Sequence, residues 1–273
     1  MTWNGEELDF EAYLARLGHT GGTKPDLDTL RTLHREHVAA IPFENLEMML
    51  GRPVPLELTA LQDKMVHRRR GGYCYEQNLL FAAALERIGF EVTGLGARVR
   101  AGASSTRAVT HMLLKVEVDG ELWQCDVGFG GDGLLEPIPM RAGAEARQGE
   151  WRYGLRQEDD GVLVLRTCGP EGWFDLYAYT QERRLPVDYV VMNHYTSTHP
   201  KSSFIRRPVM QKASPETRRR LVGDQLTVTR ADGSTDERTV PVGELTDVLV
   251  REFGIELDAD DSSELIRVHY AGA

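Results

Sequence analysis

The stretch His111-Met112-Leu113-Leu114-Lys115-Val116-Glu117-Val118-Asp119-Gly120-Glu121-Leu122-Trp123-Gln124-Cys125-Asp126 reads as a β-hairpin. Asp-Gly between two alternating runs is a strong signal for a two-residue turn, because both positions tolerate positive φ. With Asp119 and Gly120 in the loop, Val118 faces Glu121, Val116 faces Trp123 and Leu114 faces Cys125. Asp126 then lies opposite Leu113, and His111 sits diagonal to it on the same face. Diagonal neighbours are about 7–8 Å apart at the backbone, within reach of long side chains. A carboxylate so placed can accept a hydrogen bond from the imidazole and favour its charged form. The opposite face carries Leu114, Val116, Trp123 and Cys125, so Cys125 reads as core. On these residues alone, His111 and Asp126 fit either this pairing or a surface polar pair.

Outward from the hairpin the texture differs on the two sides. Before residue 90 the apolar spacing is helical. One helix carries Phe10, Tyr13, Leu14 and Leu17 and ends at Gly18. A second starts at a cap, Asp26 or Asp28, and stops before Pro42. A third runs from about Thr59 into His67-Arg68-Arg69-Arg70, a basic last turn broken by Gly71-Gly72. A fourth begins near Cys74 and ends at Gly89. From residue 91 onward alternating runs predict strands over 91–100, 111–118, 121–127, 151–157 and 161–167. Residues 204–273 mix a strand over 225–230, a turn at Asp232-Gly233, a strand over 239–242 and a helix over 242–253. Boundaries near 90 and 200 divide the chain into 1–90, 91–200 and 201–273.

Composition limits the function. The chain has 273 residues, enough for one large domain or several small ones, with 41% hydrophobic and 27% charged residues. It therefore needs no disulfide or metal staple to fold. With 32 basic against 42 acidic residues, the net charge of −10 disfavours nucleic acid and anionic membrane as partners. No apolar run reaches the roughly 18 residues of a membrane-spanning helix. The opening MTWNGEELDF is acidic where a secretion signal is basic. Three cysteines, Cys74, Cys125 and Cys168, form no C-x-x-C pair, and a reducing cytoplasm suits them.

Arg70-Gly71-Gly72-Tyr73-Cys74-Tyr75-Glu76-Gln77-Asn78 carries the most chemical information. Two glycines permit a tight bend and close approach. The cysteine follows at the first turn of a helix, where unpaired N–H groups and the positive dipole end favour a thiolate and can hold an oxyanion. Read alone, Cys74 is either a small buried hydrophobe or a nucleophile. Together, a helix-borne cysteine, a strand-borne histidine and an aspartate that orients it form the nucleophile–base–orienter set of covalent catalysis. His34 and His37 are three apart but do not form H-E-x-x-H, and read as one face of a helix. Gly130-Gly131-Asp132-Gly133 lacks the Lys-Ser/Thr of a phosphate-binding loop.

These residues resemble the arylamine N-acetyltransferases. Residues 70–78 are similar to that family's R-G-G-x-C-x-E-x-N segment, and Ile41-Pro42-Phe43-Glu44-Asn45-Leu46 to its I-P-F-E-N-L signature. His111 and Asp126-Val127-Gly128-Phe129-Gly130 resemble its histidine and D-x-G-F-G segments. The similarity covers most of residues 10–210. It implies an α+β fold with an N-terminal helical bundle, a central antiparallel β-barrel and a C-terminal α/β lid around a papain-like Cys-His-Asp core. It further implies a Cys74–His111–Asp126 triad, acetyl-CoA as co-substrate, no metal, and arylamine or arylhydrazine acceptors, including xenobiotic ones. By the same resemblance Thr110, Phe129, Gly130, Tyr195 and Ser203 would line the substrate and coenzyme A cleft.

Coenzyme A is polyanionic, and two acid-free stretches offer positive charge. One spans 92–116 with Arg98, Arg100, Arg107 and Lys115; the other spans 189–215 with Lys201, Arg206, Arg207 and Lys212. Three other functions stay open: an amide synthase that closes a macrolactam from a carrier-bound acyl chain, a papain-like or transglutaminase-like hydrolase, and a binding module without turnover.

Overall fold

Asp9 and Asp26 start the first two helices: each side chain accepts a hydrogen bond from the backbone N–H three residues on, Ala12 and Thr29. These helices are α1 (Phe10–Leu17) and α2 (Leu27–Ala40). A two-residue strand β1 (Phe43–Glu44), and short helices α3 (Leu46–Met49) and α4 (Leu58–Gln62), lead to α5 (Cys74–Ile88). The computed structural model describes residues 2–103 and 105–270. Leu80, Phe81, Ala82, Ala83, Ala84 and Leu85 are all buried, so α5 is the central helix of the N-terminal part. The basic end expected after the third helix is a different object. The chain widens into a π-helical turn over Asp63–His67, and Arg70 is buried.

The middle of the chain forms β2 (Glu91–Val99), β3 (His111–Val118), β4 (Glu121–Cys125), β5 (Ile138–Pro139), β6 (Glu145–Gln148), β7 (Trp151–Gln157), β8 (Leu163–Gly169) and β9 (Gly172–Tyr179). They join in the order β5-β4-β3-β2-β9-β8-β7-β6, an antiparallel sheet that curls into a nearly closed barrel. The hairpin register is the one the Asp-Gly turn dictates: Val118 pairs with Glu121, Val116 with Trp123 and Leu114 with Cys125. Asp119 and Gly120 take φ of 52° and 78°, the positive values a two-residue turn requires. Leu114, Val116, Trp123 and Cys125 pack together against α5 in one core, whereas Leu113 belongs to the barrel interior with Leu165 and Tyr177.

The helix α6 (Pro186–Thr198) then crosses over the start of α5. A second sheet follows, with β10 (Val209–Ala213), β11 (Thr217–Val222), β12 (Gln225–Arg230) and β13 (Thr235–Thr239), and the helices α7 (Leu245–Val248) and α8 (Ala259–His269). The strand expected over 239–242 lies earlier, because the Asp232-Gly233 turn returns the chain at once and Thr229 pairs with Thr235. β1 adds to the edge of this sheet, Phe43 opposite Gln211 and Glu44 opposite Met210. A third core of Leu46, Met49, Met210, Leu221, Phe253 and Leu265 joins the two ends of the chain. Arg218 stacks 3.8 Å from the ring of Trp151, which ties this sheet to the barrel. Among the described residues, no helix is long and apolar enough to cross a membrane.

Candidate active site

The two glycines before Cys74 are required by what surrounds them. A Cβ on Gly71 would stand 2.2 Å from the carbonyl oxygen of Pro42. Gly72 N–H donates to Pro42 O at 3.2 Å, and Glu44 N–H donates to Gly72 O at 3.1 Å. The two motifs of the N-terminal part thus run side by side as backbone. Glu76 accepts from the N–H of Tyr73 at 3.0 Å, which fixes the first turn of α5. Cys74 is the first residue of that helix, with its N–H groups behind it.

A buried ionic cluster clamps this turn from below. Arg70 donates to Glu44 Oε1 through Nε at 3.2 Å and Nη2 at 2.9 Å, and Lys64 donates to Glu76 at 2.8 Å. Burial works against the Glu44 charge, but Arg70 and Lys64 outweigh it and hold the carboxyl below its ordinary range. Above the turn, the Tyr73 hydroxyl donates to Asn193 of α6, and the Tyr75 hydroxyl meets Thr196 Oγ1 at 3.4 Å.

On the other side of the thiol, β4 ends at Cys125 and the chain leaves the sheet. That departure turns the Asp126 carboxylate toward His111, whose Nε2 lies 2.7 Å from Oδ2. Asp126 accepts three further hydrogen bonds: from the Tyr177 hydroxyl at 2.7 Å, Asn78 Nδ2 at 3.1 Å and Gly128 N–H at 3.0 Å. Burial raises the Asp126 pKa and these partners lower it, with the net shift downward. Burial likewise opposes charge on His111, yet the Asp126 carboxylate and the neighbouring Cys74 thiol push its pKa up to about 10. With Nε2 committed to Asp126, Nδ1 is left for the thiol. Phe129 and Tyr177 pack on the His111 ring at centroid distances of 5.2 and 4.8 Å and hold its plane.

Gly128 closes the site. A Cβ there would come within 2.7 Å of the Cys74 Cα, so only glycine lets this loop lie on the Cys74 backbone. Cys74 is 4% exposed and His111 3% exposed, so both side chains are almost wholly shielded from solvent. Cys74 Sγ lies 3.9 Å from the carbonyl oxygen of Thr110. Thr110 also lines a cavity of about 690 Å³ with Arg107, Tyr195, Lys201, Ser203 and Phe204. Asn45 holds the segment that follows Phe204, donating to the carbonyls of Phe204 and Arg207 and accepting from Val209 N–H.

The structure therefore brings Cys74, His111 and Asp126 together, and gathers Thr110, Tyr195 and Ser203 on one cavity. Phe129 lies against His111, while Gly130 sits where a Cβ would strike the Gln211 side chain at 2.0 Å. Gly130 is thus packed on the C-terminal sheet, outside the wall that holds Thr110 and Ser203. Of the first basic stretch, Arg100 is absorbed by Glu158 and Asp175 at 2.6 and 3.0 Å. Asn78 and Tyr177, both on the carboxylate, were not assigned from sequence. Tyr177 had no signal beyond the alternation of an unrecognised strand. Cys125 is buried in the apolar core, where its thiol is pushed up by desolvation. His34 and His37 lie on one helix, α2, as their spacing predicts, and both are fully buried.

Comparison with known proteins agrees with this geometry. The family model described as N-acetyltransferase matches residues 26–262. An arylamine N-acetyltransferase of Mycolicibacterium smegmatis is 40% identical over 257 residues, covering 92% of this chain and 93% of that one. The crystal structure of the Nocardia farcinica arylamine N-acetyltransferase superposes with a TM-score of 0.92 at 48% identity, over 97% of this chain and 95% of that one. The Mycobacterium marinum enzyme, solved in complex with CoA, gives 0.88 at 33% identity over 96% of this chain and 100% of that one. Fold, site geometry and sequence relatives converge: the chain belongs to the arylamine N-acetyltransferases, a family of acyltransferases.

Proposed function

We propose that this protein transfers acetyl from acetyl-CoA to arylamines and arylhydrazines through an acetyl-Cys74 intermediate. The observation that carries the reading is the buried line from Asp126 through His111 to Cys74, with the cavity ending at Thr110. In the first half-reaction the Cys74 sulfur, as thiolate beside the His111 imidazolium, attacks the thioester carbonyl. Backbone N–H groups at the start of α5 stand where they can receive the oxyanion. The bond between the acetyl carbon and the coenzyme A sulfur breaks, and the leaving thiolate takes the proton from His111. In the second half-reaction the amine nitrogen attacks the acetyl carbon, its proton passes to His111, and the Cys74 thiolate leaves. An arylamine is neutral at pH 7, so the nitrogen lone pair is available without a strong base.

Asp126 remains ionised throughout and fixes the ring, as the third member of such a set does. Thr110, Tyr195 and Ser203, with Arg107 and Lys201, are the groups available for coenzyme A; Phe129 shapes the acceptor side against His111. The free state of all three cysteines supports a reducing, cytoplasmic setting.

The test mixes the protein with acetyl-CoA alone and takes an intact mass, then adds an arylamine or arylhydrazine. One acetyl adduct, removed by the acceptor and missing in Cys74→Ala, is the expected result. Coenzyme A release only when both substrates are present, with no adduct, would overturn the two-step route.

A further inference from the structure

Asp126 reaches His111 by leaving the sheet, and leaving the sheet has a consequence for its own N–H. β4 pairs with β3 only as far as Cys125 opposite Leu114, so the Asp126 N–H has no ladder partner. Asp126 is 1% exposed, so water does not replace one. A buried backbone donor needs an acceptor. Here the acceptor is a side chain from another layer: His34 Nε2, 3.1 Å away.

His34 lies on α2 and is itself fully buried. Its other nitrogen, Nδ1, faces the carbonyl oxygen of Leu135 at 3.0 Å. A carbonyl only accepts, so Nδ1 carries the hydrogen and Nε2 presents a lone pair. That is the tautomer Asp126 N–H requires. The ring is held edge-on to Phe81 of α5 at 5.7 Å and 88°. Burial pushes the His34 pKa down to about 4, so it stays neutral where His111 is charged. Two histidines thus bear on one aspartate in opposite states: His111 on the carboxylate, His34 on the backbone.

We propose that His34 is a positioning residue for the reaction: by accepting the Asp126 N–H and donating to Leu135 O, it fixes the backbone from which the Asp126 carboxylate orients His111. The proposal rests on the triad reading above. It assigns to α2 a role that an apolar core residue would not fill. Leucine at position 34 would pack, but it would leave the Asp126 N–H and the Leu135 carbonyl without their partners and the carboxylate free to swing.

Two amides separate the functions of the two ring nitrogens. Gln places an oxygen near the Nε2 position and can still accept from Asp126; Asn places its amide near Nδ1, and keeps only the Leu135 contact. The pH profile of Cys74 alkylation by iodoacetamide, read by intact mass, reports the charge state of His111. In the native protein the rate should change as His111 loses its proton near pH 10. His34→Asn is expected to move that change to lower pH and to reduce kcat/KM about 10–100-fold. His34→Gln is expected to restore both in large part, at matched melting temperature.

A native profile in His34→Asn would overturn the proposal. So would equal losses in the Asn and Gln variants that simply follow their melting temperatures. Asp126→Asn is run beside them: if it too leaves the profile unmoved, the triad reading fails, whereas a shift in Asp126→Asn alone removes only the role of His34. Should His34→Asn not fold, hydrogen exchange at the Asp126 amide in the native protein decides. Protection equal to that of the β3 ladder amides supports the proposal, and exchange as fast as an open loop defeats it.

Discussion

On one side of Cys74 lie His111 and Asp126; on the other lie Glu44, Lys64, Arg70 and Glu76. Both sets are buried charges closed by hydrogen bonds, and both press on the same turn of backbone. They differ in the base that answers the carboxylate. Burial works against the charges of Arg70 and Lys64, but Glu44, with Glu47 for Arg70 and Glu76 for Lys64, raises their pKa values above the ordinary range, so near neutral pH this cluster only holds a shape. An imidazole can give up its proton, so its pair can do chemistry as well as hold. Charge burial by itself therefore says nothing about catalysis; the titratable partner and its access to a nucleophile do.

The largest effect should come from the catalytic side. Asp126→Asn keeps the size of the side chain but removes the charge that fixes the His111 tautomer. A loss of about 10³–10⁴-fold in kcat/KM is expected, with the circular dichroism unchanged. A loss under tenfold would place Asp126 among the structural charges. The same variant tests the pH dependence. His111 has its pKa raised from 6.5 to about 10 in the fold, so its contribution to stability is complete below pH 6.5 and fades as pH rises through 10. The urea midpoint should fall over that window in the native protein and flatten in Asp126→Asn. His34 and His37, depressed to about 4 and 3 by burial, act with the opposite sign: their contribution stands above pH 6.5 and is lost on acidification toward 4.

Next in size is the holding cluster. Arg70→Met leaves Glu44 ionised and buried with only Lys64, 3.8 Å away. A destabilisation of about 3–5 kcal/mol is expected from denaturant unfolding. Adding Glu44→Gln should recover part of it, because the stranded charge is then gone. A small loss in the single variant would mean that the cluster is dispensable.

Tyr177→Phe removes one of four donors to Asp126. A hydrogen bond to a charged group is worth about 1.5–3 kcal/mol, so acetyl transfer should slow about ten- to hundredfold while the melting temperature moves little. The smallest effect lies outside both clusters. Lys201→Ala, on the open cavity wall, should raise KM for acetyl-CoA about two- to fivefold and leave kcat alone. The increase should shrink at high salt.

How much of this could be read from sequence depends on what fixes each element. The Asp-Gly turn fixes a register two residues at a time, so the pairing from Val118–Glu121 back to Leu114–Cys125 followed from the hairpin alone. Asp126, expected opposite Leu113, leaves the ladder there and meets His111 from outside it. Cys74 at a helix start followed from Gly71-Gly72 and the apolar run after Asn78. α6 escaped because Val187, Val190 and Val191 point outward, 64%, 55% and 71% exposed, which removes the apolar periodicity a buried face would give. β10 and β11 escaped for a related reason: Arg218, Arg219 and Arg220 in succession hide the alternation. His34 and His37 show a spacing but not a direction. Only the packing of α2 against α5 and the barrel tells which way they point. Tyr177 and Asp126 are 51 residues apart, and no local rule connects them.

The short strand Phe43–Glu44 carries a last consequence, and it concerns order in time. Its neighbours on one side are Gly71 and Gly72, which shape the turn before Cys74; on the other side they are Met210 and Gln211. A chain emerging from the ribosome presents residues 43–44 and 71–74 early, but their second flank arrives about 140 residues later. Until then Phe43 offers an unpaired edge, and Asn45 lacks the carbonyls of Phe204 and Arg207. The N-terminal helices can therefore assemble while the cradle around Cys74 is still half-built. A nascent thiol is thus not fully armed before the protein that must control it is nearly complete.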